Sequence, residues 1–132
     1  MEQFQVAMLT TVDGTQITFA PKAVSGLADH DLNSGLIVTS VYGVTKEVLQ
    51  INESVEEFMA RLRITKNFAK LTRPNDFPVW INGSAVSSIR KPFPNEYMTG
   101  VKAVVFTADF TQGVKELPEE VTVAINEHGG EL

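Results

Sequence analysis

Residues 9–25, LTTVDGTQITFAPKAVS, and residues 71–87, LTRPNDFPVWINGSAVS, align without a gap at a shift of 62 residues. Both segments begin with Leu-Thr and end with Ala-Val-Ser, and the apolar residues between occupy the same alternating positions, with Ile17 above Val79. Agreement in order, period and shift is typical of an internal duplication. The repeated segment therefore decides how the rest of the chain is interpreted.

The correspondence extends towards the end of each half. An acidic triplet recurs after a shift of 63, which indicates one inserted residue; the two triplets are Glu53, Glu56 and Glu57, and Glu116, Glu119 and Glu120. We interpret residues 1–64 and 65–132 as two tandem repeats within one compact domain. Because one small repeat can hardly cover both faces of its own sheet, we expect the repeats to share a core about a pseudo-twofold axis.

Each repeat is predicted to be a β-meander closed by a C-terminal helix, so the expected fold class is α+β and rich in β-structure. In the first repeat, the pattern predicts a hairpin with its turn at Asp13-Gly14 and a polar loop at 28–35. The predicted strands of this repeat cover residues 6–11, 16–20, 23–27, 36–42 and 47–51.

Capping signals mark both helices. Ser54, with Glu57 three residues later, has the spacing of a capping box. Pro118 fits the first turn of the second helix, and Gly129 and Gly130 are expected to stop it. The apolar stripes of the two helices are Val55, Phe58, Met59 and Leu62 in the first, and Val121 and Ile125 in the second.

The composition indicates a folded globular protein. Among 132 residues, 43% are hydrophobic and 20% charged, and there is no cysteine. The missing cysteines exclude disulfides, thiolate metal sites and cysteine nucleophiles. The sequence contains neither an apolar run of membrane-spanning length nor a recognisable secretion signal at its start, so we expect a cytoplasmic protein without a membrane partner.

The charge is distributed unevenly along the chain. The net charge of −5 opposes non-specific binding to nucleic acids, yet the segment 66–91 carries five cations and a single acid, Asp76, for a net charge of +4. The five cations are Lys66, Lys70, Arg73, Arg90 and Lys91. This basic segment is either a solvated surface or the contact for an acidic partner.

Catalytic and metal-binding patterns are scarce. The triplet Asp29-His30-Asp31 has oxygen and nitrogen ligands, but it lacks the further His or Cys residues that a zinc site normally recruits. His128 lies beside Gly129, where a cation near the last helical carbonyls is a common structural choice. No phosphate loop, nucleophile elbow or paired-carboxylate motif is present, so we predict no catalytic residue, no metal and no cofactor.

Aromatic residues accompany the basic segment. The alternation that turns Val79 and Ile81 inward predicts Trp80 on the outer face of its strand. Phe77, Phe93 and Tyr97 are close to Trp80 in the sequence and lie among cations. This aromatic cluster is a protein interface, a groove for single-stranded nucleic acid, or the place where the second repeat packs on the first. The candidate binding residues are Trp80, Phe77, Arg73, Lys70, Arg90, Lys91, Phe93 and Tyr97.

The second repeat resembles the FlbD family of small bacterial flagellar and swarming-motility proteins. The resemblance rests on the stretches 71–76 (LTRPND) and 79–82 (VWIN), on Val86 and Ile89, and on Val114-Lys115-Glu116 with Glu119-Glu120-Val121. Asp76 stands where that family has Gly, the hairpin 92–100 is longer, and the family normally has one repeat. The resemblance implies a bacterial accessory protein without enzymatic activity.

A weaker similarity spans the junction between the repeats. The helix at 53–62, followed by FAKLTR at 68–73 and by Ile81-Asn82, looks like the LytTR type of DNA-binding domain, with Thr72 in place of its His. We predict a non-catalytic module that binds a protein, with a second copy of itself as one candidate partner. The alternative is a DNA-binding regulatory domain that uses the segment 66–91.

Overall fold

The computed structural model of the protein describes residues 7–32, 36–96 and 100–132, and these form an α+β fold with ten strands in three sheets and two helices. The elements of the first half are β1 (Ala7–Thr10), β2 (Gln16–Phe19), a 3-10 turn (Pro21–Ala23), β3 (Gly26–Leu32), β4 (Leu36–Tyr42), β5 (Leu49–Ile51) and α1 (Val55–Leu62). Those of the second half are a 3-10 turn (Thr65–Asn67), β6 (Phe68–Thr72), β7 (Pro78–Asn82), a 3-10 turn (Gly83–Ala85), β8 (Val86–Arg90), β9 (Ala103–Thr107), β10 (Thr111–Val114) and α2 (Pro118–Glu127). The predicted class is confirmed.

The largest sheet is built from both halves of the chain. Its five antiparallel strands follow the order β5-β4-β3-β7-β6, so the hairpin β6–β7 of the second half adds to the edge of the first-half meander. The contact between the halves is the β3–β7 pairing, in which Leu27 lies opposite Trp80. The other two sheets are β10-β9-β8 and the hairpin β1-β2.

Two hydrophobic cores lie on opposite faces of the five-stranded sheet. The first is covered by α1 and includes Phe58 and Leu27, together with Phe68 and Trp80 from the second half. The second contains Val105, Val121 and Ile125, together with Ala28 from the first half. Both halves contribute to each core, so the predicted sharing takes the form of two cores, because successive side chains of β3 and β7 point to opposite faces and both faces are covered.

Residues 28–32 depart from their prediction as part of a polar loop at 28–35, of which residues 33–35 lie outside the described residues. Strand β3 continues to Leu32, and its seven residues pair with β4 from Gly26–Tyr42 to Leu32–Leu36. Pairing along the whole of β4 provides hydrogen-bond partners for the backbone N–H and C=O groups of β3. This gain outweighs the low strand propensity of the Asp residues. A 3-10 turn at Pro21–Ala23 likewise occupies the start of the strand predicted at 23–27.

The helix boundaries agree with the capping signals. Ser54 Oγ accepts a hydrogen bond from the Glu57 N–H at 3.1 Å, which ends the chain's extended course and starts α1. Pro118 is the first residue of α2, and Gly129 follows its end with a φ of +95°, a value that glycine adopts at little cost. Within the described residues, neither helix has the length and apolar content needed to cross a bilayer.

Candidate protein-binding surface

Two exposed phenylalanines mark one end of the molecule. Phe77 lies in the β6–β7 turn and is 54% exposed, and Phe93 follows β8 and is 62% exposed. Singly exposed apolar side chains are common on protein surfaces, whereas several exposed apolar side chains close together can mark a binding site. We call the segments 73–77 and 90–96 together the aromatic end.

Phe93 is held in place by an arginine and a glutamate. The Arg90 guanidinium donates two hydrogen bonds to the Glu96 carboxylate, the first from Nη1 to Oε1 at 2.7 Å, and its Cζ lies 3.8 Å from the centroid of the Phe93 ring. Glu96 also accepts the Phe93 N–H at 2.8 Å. The hydrogen bonds from Arg90, and then that from the Phe93 N–H, lower the pKa of Glu96 to about 2, so this clamp stays charged at neutral pH.

Lys115 connects the two segments of the aromatic end. Its N–H donates to the Thr72 carbonyl at 2.9 Å, and its ammonium group pairs with the Asp76 carboxylate in the same turn as Phe77. The residue before Lys115, Val114, lies opposite Ala103 on β9, and the next residue of β9, Val104, lies opposite Arg90 at the end of β8. The β6–β7 turn and the end of β8 therefore lie on the same side of the fold.

Arg73, one of the predicted binding residues, is buried and contacts the first half of the chain. It is only 8% exposed, and its Nη2 donates to the Asp29 carbonyl of β3 at 2.8 Å. Burial lowers the pKa of its guanidinium, and its Nε has no hydrogen-bond partner among the described residues. Arg73 therefore fastens the β6–β7 hairpin to the first half.

Trp80 is also buried, contrary to its prediction on an exposed face. It is 5% exposed and belongs to the first core, because β7 is an inner strand with helices or sheet on both sides. Lys70 lies opposite it on β6, is exposed, and holds its Nζ 5.5 Å from the indole. The indole is therefore a packing element between the halves, which was one of the three interpretations of the aromatic cluster.

The basic segment does not form one continuous cationic surface. Arg73 bonds to β3 and Arg90 pairs with Glu96, whereas Lys66, Lys70 and Lys91 are exposed. Tyr97 lies outside the described residues, and so do the side chains of His30 and Asp31 in the Asp29-His30-Asp31 triplet, which belongs to β3. The described part of the chain contains no group of three His, Cys, Asp or Glu residues that could hold a metal ion.

Sequence reasoning did not identify Glu96, Phe106 or Lys115 as parts of this surface. Phe106 lies on β9, 5.1 Å from the Arg90 guanidinium, so Arg90 contacts two aromatic rings at once. The pair of Arg90 and Glu96 could have been found from the sequence, because the two residues are only six positions apart. The contacts of Phe106 and Lys115 join strands that are far apart in the sequence, so no sequence pattern indicated them.

Exposed aromatic rings and a paired arginine occur together at this surface. Aromatic side chains and arginine are enriched where proteins bind one another, and here both stand at the same end of the molecule. Comparison with protein-family models, with curated proteins and with solved structures found no match for this chain.

Proposed function

We propose that this protein is a non-catalytic binding module that contacts another protein through the aromatic end. The supporting observation is Phe93, which is 62% exposed although the Arg90–Glu96 pair fixes its position. An apolar side chain that is already ordered loses little conformational entropy on binding, so more of its burial energy contributes to affinity. Phe77 provides a second apolar anchor on the same side.

We also propose that the chain arose as a tandem duplication related to the FlbD family, and that it acts as an accessory protein in a bacterial cytoplasm. In support, each half has the same order of elements: two strands, a 3-10 turn, three strands and a helix. A pseudo-twofold axis would pair β8 with β2 as β3 pairs with β7, and the three sheets contain no such pairing. A head-to-tail relation between the halves accounts for this order better.

Site-specific photocrosslinking tests the aromatic end. A benzophenone amino acid replaces Phe93 or Phe77 in the full chain expressed in its native host, with Val123 as the control because it is 58% exposed on α2. We expect a discrete adduct from positions 93 and 77, and competition by unlabelled wild type but not by a Phe77→Ser/Phe93→Ser double variant. Equal labelling at position 123, or none at 93 and 77, contradicts the proposal.

A further inference from the structure

The halves are joined by the addition of a hairpin to a strand edge. In the β3–β7 pairing, Gly26, Leu27 and Ala28 lie opposite Ile81, Trp80 and Val79. The contact continues at Asn82, whose N–H donates to the Ser25 carbonyl at 2.9 Å and whose Nδ2 donates to the Val24 carbonyl at 3.0 Å. A hairpin of one half therefore fits the meander edge of the other.

The counterparts of these two strands are not joined. At the shift of 62 residues, β2 corresponds to β7 and β8 corresponds to β3. Within the described residues, β2 pairs only with β1 and β8 only with β9. In the described part of the chain, each strand thus has one edge without a strand partner, and such edges are templates for pairing with another chain.

The side chains of both open edges face the directions that the joined pair requires. On β7, Val79 and Ile81 pack in the core of their own half, and on β2 their counterparts Ile17 and Phe19 pack against the core of theirs. On β3, Leu27 belongs to the core of its own half, and its counterpart Ile89 packs in the same way. The two edges can pair without turning an apolar side chain outwards.

Charge and space favour the same pairing. Within the chain, Arg73 of the β6–β7 hairpin donates a hydrogen bond to the Asp29 carbonyl. The free edges carry charges of opposite sign near their ends, with Asp13 in the β1–β2 turn and the exposed Lys91 after β8. Hydrogen bonds from Thr11 and Thr15 lower the pKa of Asp13 and keep it ionised. A cleft of about 370 Å³ lies beside Val86 and Ser87. These residues correspond to Val24 and Ser25, whose carbonyls accept hydrogen bonds from Asn82.

We propose that β2 of one molecule pairs antiparallel with β8 of a second copy of this chain. The register transferred from β3–β7 places Phe19, Thr18 and Ile17 opposite Ser88, Ile89 and Arg90. Because the two surfaces differ, the contact is head-to-tail and produces a ring or an open filament. The proposal rests on the duplication inferred above. Thr18 replaces Trp80 in this joint, so the contact between molecules is weaker than the contact within one and depends on concentration.

Cysteine crosslinking tests the register, because the natural chain contains no cysteine. Thr18→Cys in one preparation is mixed with Ile89→Cys in another and oxidised; directly opposed residues lie about 5 Å apart, within reach of a disulfide. Thr111→Cys, an exposed position on β10, replaces the second partner as the control. We expect a mixed dimer for positions 18 and 89 and its loss for positions 18 and 111. Equal yields from both mixtures, or no dimer from either, overturn the proposal.

Light scattering on the wild type provides a second readout that needs no cysteine. We expect the mass to increase with protein concentration beyond that of one chain, and the increase to be lost in Thr18→Lys, which places a charge on an exposed position of β2. A wild type that stays monomeric at all concentrations overturns self-pairing. The photocrosslinks at Phe93 and Phe77 are judged separately, so either proposal can fail alone. A Phe77→Ser/Phe93→Ser variant should scatter light as the wild type does, because neither ring lies on β2 or β8.

Discussion

Trp80 owes its burial to the neighbours of its strand. Leu27 lies beside it on β3 and Lys70 on β6, and the aliphatic part of a lysine can cover an indole while its ammonium group stays in water. The ring also joins the core that Phe58 and α1 cover. A single side chain of the second half therefore completes a core of the first.

Replacement of Trp80 by Ala should lower the free energy of unfolding by about 3–5 kcal/mol, because it leaves a large cavity in a packed core. Phe93→Ala is the matched control and should change the free energy by about 0.5 kcal/mol or less, since its ring is mostly exposed. Urea denaturation followed by circular dichroism measures both. Equal effects of the two substitutions would mean that the indole does not form part of the core.

At the scale of elements, the two helices start by different means although they occupy matching places. Ser54 caps α1 through its hydroxyl, whereas α2 begins after Leu117, whose N–H is bound by the Glu120 carboxylate at 3.0 Å. Glu116 in turn accepts the N–H and hydroxyl of Thr72, at 2.9 and 2.8 Å, and so ties the start of α2 to β6. The α1 cap is therefore the simpler one to test.

Ser54→Ala should lower the free energy of unfolding by about 1 kcal/mol, because an N–H at the start of α1 then loses its hydrogen-bond acceptor. Ser54→Asp keeps an acceptor oxygen at that position and should restore most of the loss. Both values follow from urea denaturation of the purified variants. If the Asp variant is as destabilised as the Ala variant, the hydroxyl does not act as a cap.

At the scale of the whole molecule, the halves depend on each other. The first core takes Phe68 and Trp80 from the second half, and the second core takes Ala28 and Tyr42 from the first. A chain of only half this length also buries too little apolar surface to offset its conformational entropy easily. Neither half has the contacts that it needs to be stable by itself.

Residues 1–64 expressed alone should therefore lack a cooperative unfolding transition and should give a poorly dispersed amide NMR spectrum. Addition of residues 65–132 should restore the dispersion, since the β6–β7 hairpin then fills the edge of β3. A folded spectrum of 1–64 alone would show that the hairpin is not required.

Much of the local structure could be predicted from the residues themselves. Ser54 with Glu57, Pro118 and the two glycines after His128 mark the helix ends by their local hydrogen bonding and backbone freedom, and the alternation at Gln16–Phe19 identifies β2. The strand at Leu36–Tyr42 was predicted with its observed bounds. These signals depend on neighbours within a few positions, which the sequence contains in full.

The sequence by itself determined the α+β class, the positions of both helices and the matching order of residues in the two halves. Only the tertiary structure decided that β7 pairs with β3, that both faces of this sheet are buried, and that Trp80 and Arg73 therefore belong to the interior. The physical reason is that alternation specifies two faces of a strand, whereas burial depends on which distant segments cover each face.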